Sequence, residues 1–372
     1  MKERRGIQGL LDYSSALSSL VAIAVGLLIG FIIMLISSPS DAVPGFVTLV
    51  TRAVRSPKLF GDVLYFATPI IMTGLSVGFA GKTGLFNIGA SGQFIVGAYC
   101  AILVAVRCGD FLPGPLLLIT ALLAAAAGGA IWGSIPGILK AWRNVHEVIA
   151  CIMMNYIGMF LVNYLIRQTI YNRLHNMSIL PPNRANLPKM GLDLIFRDGN
   201  SISSVTGGIF IAILAAVVIY IILNKTTLGY ELKACGYNKN AAQYAGINAN
   251  RGIVTAMVIS GALAGLGGAL LYLSGAGKGI DVLDILAPEG FNGIPVALLA
   301  LHNPIGIIFS ALFIGYLTVG GTFMQQNGYA PQTVDMIVAV IIYFSAFSLI
   351  VKGYIQKIGK RKKEAGTGGD ST

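Results

Sequence analysis

Ala16-Leu-Ser-Ser-Leu-Val-Ala-Ile-Ala-Val-Gly-Leu-Leu-Ile-Gly-Phe-Ile-Ile-Met-Leu-Ile36 holds no charged residue in 21 positions. As a helix it would extend about 32 Å, enough to cross a hydrocarbon core about 30 Å thick. Runs of the same kind recur to the end of the chain. Outside this stretch the composition agrees: 55% of the 372 residues are hydrophobic and 11% are charged, against about 25% charged in a soluble domain. Mean hydropathy is +0.76. These values predict an all-α, polytopic transmembrane bundle, not a soluble domain with one anchor. The basic stretch Met1 to Arg5 ahead of the first run resembles a signal peptide. The run exceeds an h-region and no Ala-x-Ala site follows, so it reads as a retained first helix.

Ten spans are expected, near 16–38, 63–80, 84–107, 116–139, 148–167, 208–223, 253–275, 290–301, 305–325 and 333–351. The eighth is too short to cross. It holds Pro295 between Pro288 and Pro304, which predicts a broken or re-entrant helix. Gly81-Lys82-Thr83-Gly84 marks a similar break between the second and third spans. Phe86-Asn87 follows the second span and Phe291-Asn292 the seventh, a lag of five spans. An odd number of spans per half inverts one half against the other, as in many transporters. Gly129, Gly133 and Gly137, Gly261 and Gly265, and Gly74 and Gly78 fall at helical spacing, which lets backbones approach closely in lipid.

The net charge of +11 fits basic cytoplasmic loops better than nucleic-acid binding, since no aromatic-interleaved basic surface accompanies it. With the N-terminus inside, ten spans return the C-terminus to the same side. The expected organisation is a cytoplasmic segment 1–15, a transmembrane domain 16–351 and a basic cytoplasmic tail 352–372. The tail carries Lys360, Arg361, Lys362 and Lys363. Within the domain, loop 224–252 is cytoplasmic and loop 168–207 external. Cys100, Cys108, Cys151 and Cys235 show no paired spacing and read as small hydrophobes, not as metal ligands or disulfides.

No Asp, Glu, Lys or Arg falls well inside an expected span, Asp335 lying at an edge. A proton-coupled carrier usually keeps an intramembrane carboxylate or His. The groups within the spans are amides: Asn87, Gln93, Asn155, Asn163 and Asn292. Around a cavity, with Phe86 and Phe291 as stacking faces, Asn87, Gln93, Asn155 and Asn292 suit a neutral, hydrogen-bonding solute. The alternative is that each amide bonds a neighbouring helix, which is the reading for Asn163. Gly81-Lys82-Thr83 imitates a phosphate loop, but Ser76 stands where its first Gly belongs and no strand precedes it. No catalytic residue or metal ligand set is legible, so a stand-alone channel, an ion-coupled carrier and a membrane enzyme rank below a path-forming subunit. In the polar loop Leu228 to Ile247, Ala241, Ala242 and Ala245 flank Tyr244, in a helical pattern. That pattern fits either a docking surface or an ordinary amphipathic loop helix.

The sharpest stretches are Gly84-Leu-Phe-Asn-Ile-Gly-Ala-Ser-Gly-Gln93, His146-Glu-Val-Ile149 with Asn155-Tyr156, Ala234-Cys-Gly-Tyr-Asn-Lys-Asn-Ala-Ala-Gln-Tyr-Ala-Gly-Ile247, and Gly290-Phe-Asn-Gly-Ile-Pro-Val-Ala-Leu-Leu299. In these the chain resembles the permease subunits of ATP-binding cassette importers for simple sugars and nucleosides, most of all the nucleoside type. Those relatives usually carry an acidic residue at Ser91, Asn at His146 and Asp at Asn292. The resemblance implies a nucleoside path, with a ribose-type neutral sugar as the alternative. It also implies a second permease subunit, identical or similar, and two ATPase subunits or a fused tandem ATPase. The ATPase would dock on Gly236, Tyr237, Ala241, Ala242, Tyr244, Gly246 and Ile247. A periplasmic or lipid-anchored binding protein would feed the outer face. The setting would be a bacterial cell (inner) membrane, and ATP and magnesium would sit on the ATPase partners, with no cofactor on this chain.

Overall fold

Ser56-Pro57 starts the longest buried helix of the protein. The Ser56 hydroxyl accepts from the Leu59 N–H and Pro57 occupies the first turn, where its missing N–H costs nothing. The computed structural model describes residues 20, 21 and 23–345. The basic N-terminal segment, the start of the first expected span and the basic tail lie outside them.

The helices are α1 (Ile23–Ser37), α2 (Ala42–Thr51), α3 (Pro57–Lys82), α4 (Ala90–Arg107), α5 (Gly114–Arg143), α6 (Glu147–Thr169) and α7 (Leu192–Ile195). They continue with α8 (Gly208–Lys225), α9 (Thr227–Tyr237), α10 (Lys239–Tyr244), α11 (Ala249–Tyr272), α12 (Pro288–Leu299), α13 (Pro304–Met324) and α14 (Pro331–Ser345). Two small hairpins, β1 (Tyr171–Asn172) with β2 (Met177–Ser178) and β3 (Arg197–Asp198) with β4 (Ser201–Ile202), decorate the loop before α8. Seven helices, α3, α4, α5, α6, α8, α11 and α13, are long and apolar enough to cross a membrane by length and composition. The other three expected spans correspond to α1, to α12 and to α14, whose expected end lies beyond the described residues.

Two corrections follow. The third span does not begin at 84: residues 84–89 are irregular and α4 starts at Ala90. And α2, where no span was expected, is an apolar helix packed on α13, with Gly320 against the Leu49 backbone, while Gly45 meets Tyr329 beyond α13. Its ten residues are too few to register as a span.

The core is made of close backbone contacts. A Cβ on Gly129 would stand 2.2 Å from the Gly261 carbonyl oxygen, and one on Gly265 would stand 2.3 Å from that of Ala125. Further along, Gly133 meets Met257 and Gly261, and Gly137 meets Met257 and Val254, so α5 and α11 run antiparallel. Gly74 and Gly78 instead receive the side chains of Val296 and Ile307. Packing of this kind replaces the hydrophobic drive that lipid removes.

The architecture is reciprocal. α11 packs along α4 and α5, while α3 packs along α12 and α13. Gly74, Gly78 and Gly81 of α3 meet Val296, Ala297 and His302 in turn, so α3 and α12 are parallel. Tyr65 clusters with Leu271, Met72 meets Gly267 and Val77 clusters with Ala264, so α3 and α11 are antiparallel. Each half therefore lends its short helix to the long helix of the other, and the halves run in opposite senses.

Candidate functional site

The two short helices begin back to back. A Cβ on Gly290 would lie 2.3 Å from Ser91 Cα. The Ser91 hydroxyl donates to the Ala287 carbonyl at 2.9 Å, and the Thr73 hydroxyl to the Glu289 carbonyl at 2.9 Å. Thr73 stands 16 residues after Pro57 and nine before Lys82, so this junction lies about 14 Å from one end of α3 and about 24 Å from the other. Both chain breaks thus meet at depth.

The first break, residues 83–89, is closed by amides. Asn87 Nδ2 donates to Ser76 Oγ at 3.1 Å and to Gln93 Oε1 at 2.8 Å, and Gln93 Nε2 donates back to Asn87 Oδ1 at 3.1 Å. From α6, Asn155 Oδ1 accepts from the Gly92 N–H at 2.8 Å and its Nδ2 donates to the Ile88 carbonyl at 3.0 Å. All three amides are buried. Irregular backbone away from water needs such partners. Asn87, Gln93 and Asn155, expected around an open path, are here bound to one another and to backbone, because the break must satisfy its own polar groups. Phe86 is half-buried beside them, and Phe291 and Asn292 are half-buried on the first turns of α12. Asn163 donates to the Leu283 carbonyl and to Asp284 Oδ1, the neighbour-bonding role expected of it.

The second break, residues 273–287, stays open. It leaves α11, and pairs Ser178 N–H with the Ile280 carbonyl and Val282 N–H with the Asn176 carbonyl, which pins it to the 171–178 hairpin. It then dips inward to Pro288. Beside it is a cavity of about 490 Å³, lined among others by Ile95, Tyr272, Lys278, Asp281, Leu286 and Glu289. Lys278 Nζ also stands 5.7 Å from the ring centres of both Tyr65 and Phe66. There it borders a second cavity of about 320 Å³ that includes Lys58 and Asp62. The sequence reading placed these charges in a loop. The cue it passed over was an acid on the first turn of a short, proline-initiated helix.

At the opposite end, α9 and α10 form the polar loop. Thr226, Asn238 and Asn248 cap successive helices through their side-chain oxygens. Tyr237 is 91% exposed and Tyr244 95%, and Ala241 and Gly246 are also exposed. Ala242, grouped with them as a docking residue, is 4% exposed and faces inward. Ile247 is half-buried. Gly236 is exposed too and also touches the first break: a Cβ on it would stand 2.6 Å from the Thr83 carbonyl carbon, and one on Gly84, whose φ is +75°, would stand 2.5 Å from Gly236 Cα.

Inverted, interleaved halves with interrupted helices meeting at depth define a membrane transport bundle. The chain belongs to the family described as the permease component of branched-chain amino acid transport systems, whose model matches residues 59–346. It is 39% identical to the guanosine ABC transporter permease of Bacillus subtilis over 94% of this chain and 98% of that one. It is 38% identical to a nucleoside ABC transporter permease of Lactococcus lactis, over 91% and 92% respectively. The glucose ABC transporter permease of Haloferax volcanii is 31% identical over 99% and 97%. No solved structure matches the chain.

Proposed function

We propose that this chain is the transmembrane permease subunit of an ATP-binding cassette importer of a bacterial cell membrane, carrying nucleosides. Its near end-to-end likeness to the guanosine permease carries this reading. Guanosine and glucose, named for two of its relatives, are uncharged and rich in vicinal hydroxyls. A neutral sugar is therefore the second reading, favoured by the glucose relative.

In this reading the ends of α3, α5 and α8 and the α9–α10 loop face the cytoplasm. Lys140, Arg143, Lys225, Lys233, Lys239 and Arg251 then lie inside, as the positive-inside rule requires, and both termini are cytoplasmic. Two ATPase subunits or a fused tandem ATPase grip Tyr237, Ala241, Tyr244 and Gly246 and hold the ATP and magnesium. A binding protein meets the loop 168–207, and a second permease subunit completes the path. Phe86, Phe291 and Asn292 flank the junction of the two short helices. Asn87, Gln93 and Asn155 join the path when the bundle changes state.

The test is uptake of radiolabelled guanosine by cells with and without this chain. Loss of ATP-dependent uptake on deletion, restored by the gene, is expected. Unchanged uptake of every nucleoside, with ribose uptake lost, transfers the assignment to the sugar reading.

A further inference from the structure

The cavity at the head of α12 carries charges of both signs on its wall. Lys278, Asp281 and Glu289 all line it. Among the described residues, neither carboxylate has a hydrogen-bond or ion-pair partner, and Lys278 has aromatic rings alone. Glu289 is nonetheless held firmly. Its own carbonyl accepts from Thr73, and the carbonyl two residues earlier, of Ala287, accepts from Ser91. Its backbone is thus fastened to α3 and α4 while its side chain is left to the cavity.

An acid on a first helical turn also stabilises the helix dipole. That role would be met equally by a carboxylate turned to solvent, and it does not account for a second carboxylate and an ammonium on the same wall. The volume of about 490 Å³ lies within the range of small-molecule sites, roughly 300–1,000 Å³. Ile95, Leu271, Leu286 and Pro288 provide apolar walls and Tyr272 an aromatic one. Carboxylates accept hydrogen bonds and cannot donate them, so they select donors. A neutral solute with adjacent hydroxyl groups supplies two donors at the spacing of one carboxylate. The bordering loop Gly275-Ala-Gly-Lys-Gly279 has Gly275 and Gly277 at φ of +74° and +70°, and a Cβ on Gly277 would meet nothing within 4 Å. That side of the cavity therefore has room to move.

We propose that this cavity is the solute chamber of the permease and that Glu289, assisted by Asp281, receives a vicinal diol, the ribose diol of a nucleoside. The proposal rests on the importer reading above and adds to it the group that is recognised and the residue that recognises it.

The membrane complex, this chain with the subunits that copurify, is placed in lipid nanodiscs without the binding protein. Tritiated guanosine is then displaced by guanosine or by its 2′,3′-dideoxy analogue, which lacks both hydroxyls of the vicinal diol. The wild type should prefer guanosine roughly tenfold, the worth of hydrogen bonds to a charged group. Glu289→Gln should remove most of that preference, and Asp281→Asn a smaller part. The ratio is internal to each variant, so differences in expression cancel. An unchanged ratio in Glu289→Gln overturns the proposal. The wild-type complex gives a second measurement. Carbodiimide labelling of Glu289, read by mass spectrometry, should be slowed by guanosine and not by the dideoxy analogue, and equal labelling under both overturns the proposal. A complex that assembles with its ATPase and binds no guanosine removes the nucleoside reading as well. Guanosine binding without a diol preference removes this proposal alone.

Discussion

The two chain breaks are built for opposite purposes. Between α3 and α4 the chain borders a cavity of about 220 Å³ at Thr83 to Leu85, and beyond it Asn87, Gln93 and Asn155 answer one another and the backbone. Between α11 and α12 the chain turns beside a cavity and leaves Lys278, Asp281 and Glu289 facing it. The same topological device thus supplies rigidity in one half and access in the other. The contrast explains how an inverted repeat of similar halves forms a path with direction: the halves share a layout and differ in which polar groups remain available.

The largest effect is expected where the breaks touch. Gly290→Val would drive a side chain into the Ser91 backbone, where a Cβ already has 2.3 Å. Backbone cannot yield as a flexible side chain does, so no folded protein should be recovered by size-exclusion chromatography in detergent. Recovery of a monodisperse wild-type-like species would show that the two helix starts are not fixed to each other.

Next comes the sealed break. Asn87→Leu strands Gln93 and Ser76, and should cost about 2–3 kcal/mol of stability in thermal unfolding of the purified protein. Asn87→Leu with Gln93→Leu should recover at least about 1 kcal/mol of the summed loss, because replacing both partners removes the unmet groups. At the open break, Asp281→Asn should change the same measurement by under about 0.5 kcal/mol. Equal losses at both breaks would erase the distinction drawn between them.

A further effect, smaller than the loss at the sealed break, is a pH dependence at the far end of α12. His302 lies against Gly81, at the end of α3. Burial, and then the Lys82 ammonium, lowers its pKa to about 4. The unfolded chain takes up this proton near pH 6.5 while the native state resists it until about pH 4. Stability from this group is therefore complete above pH 6.5 and falls as pH drops towards 4. The loss is about 1–2 kcal/mol after allowance for its partial exposure. In His302→Gln that slope should disappear from melting curves taken between pH 7 and pH 4. An unaltered slope would place the titration elsewhere.

Much of this was legible in the sequence, and the failures have a common cause. Long apolar runs announced the spanning helices because the bilayer imposes a length. The prolines around α12 announced its shortness, and the Gly129 and Gly261 series announced the tightest packing. The amides were identified, but not their bonds to one another. A sequence shows that Asn87 and Gln93 lie six residues apart, but not that the intervening turn brings them face to face. The charges Lys278, Asp281 and Glu289 do lie outside the long spans, as expected, but their sharing of one cavity wall was not legible. Depth is a tertiary property, and a loop that descends to Glu289 has the same composition as one that stays outside. Gly236 is exposed as its loop position suggests, but nothing local reveals that Gly84, 152 positions earlier, lies against it.

That Gly84–Gly236 contact is a joint of main chain against main chain. Side chains act as springs: they change rotamer and absorb displacement. Here there is none to compress. Through this joint α9 bears directly on the loop that leads into Asn87 and onward to Ser91, which meets the head of α12. In the proposed importer, the absence of two methyl groups would gear the docking loop to the solute side.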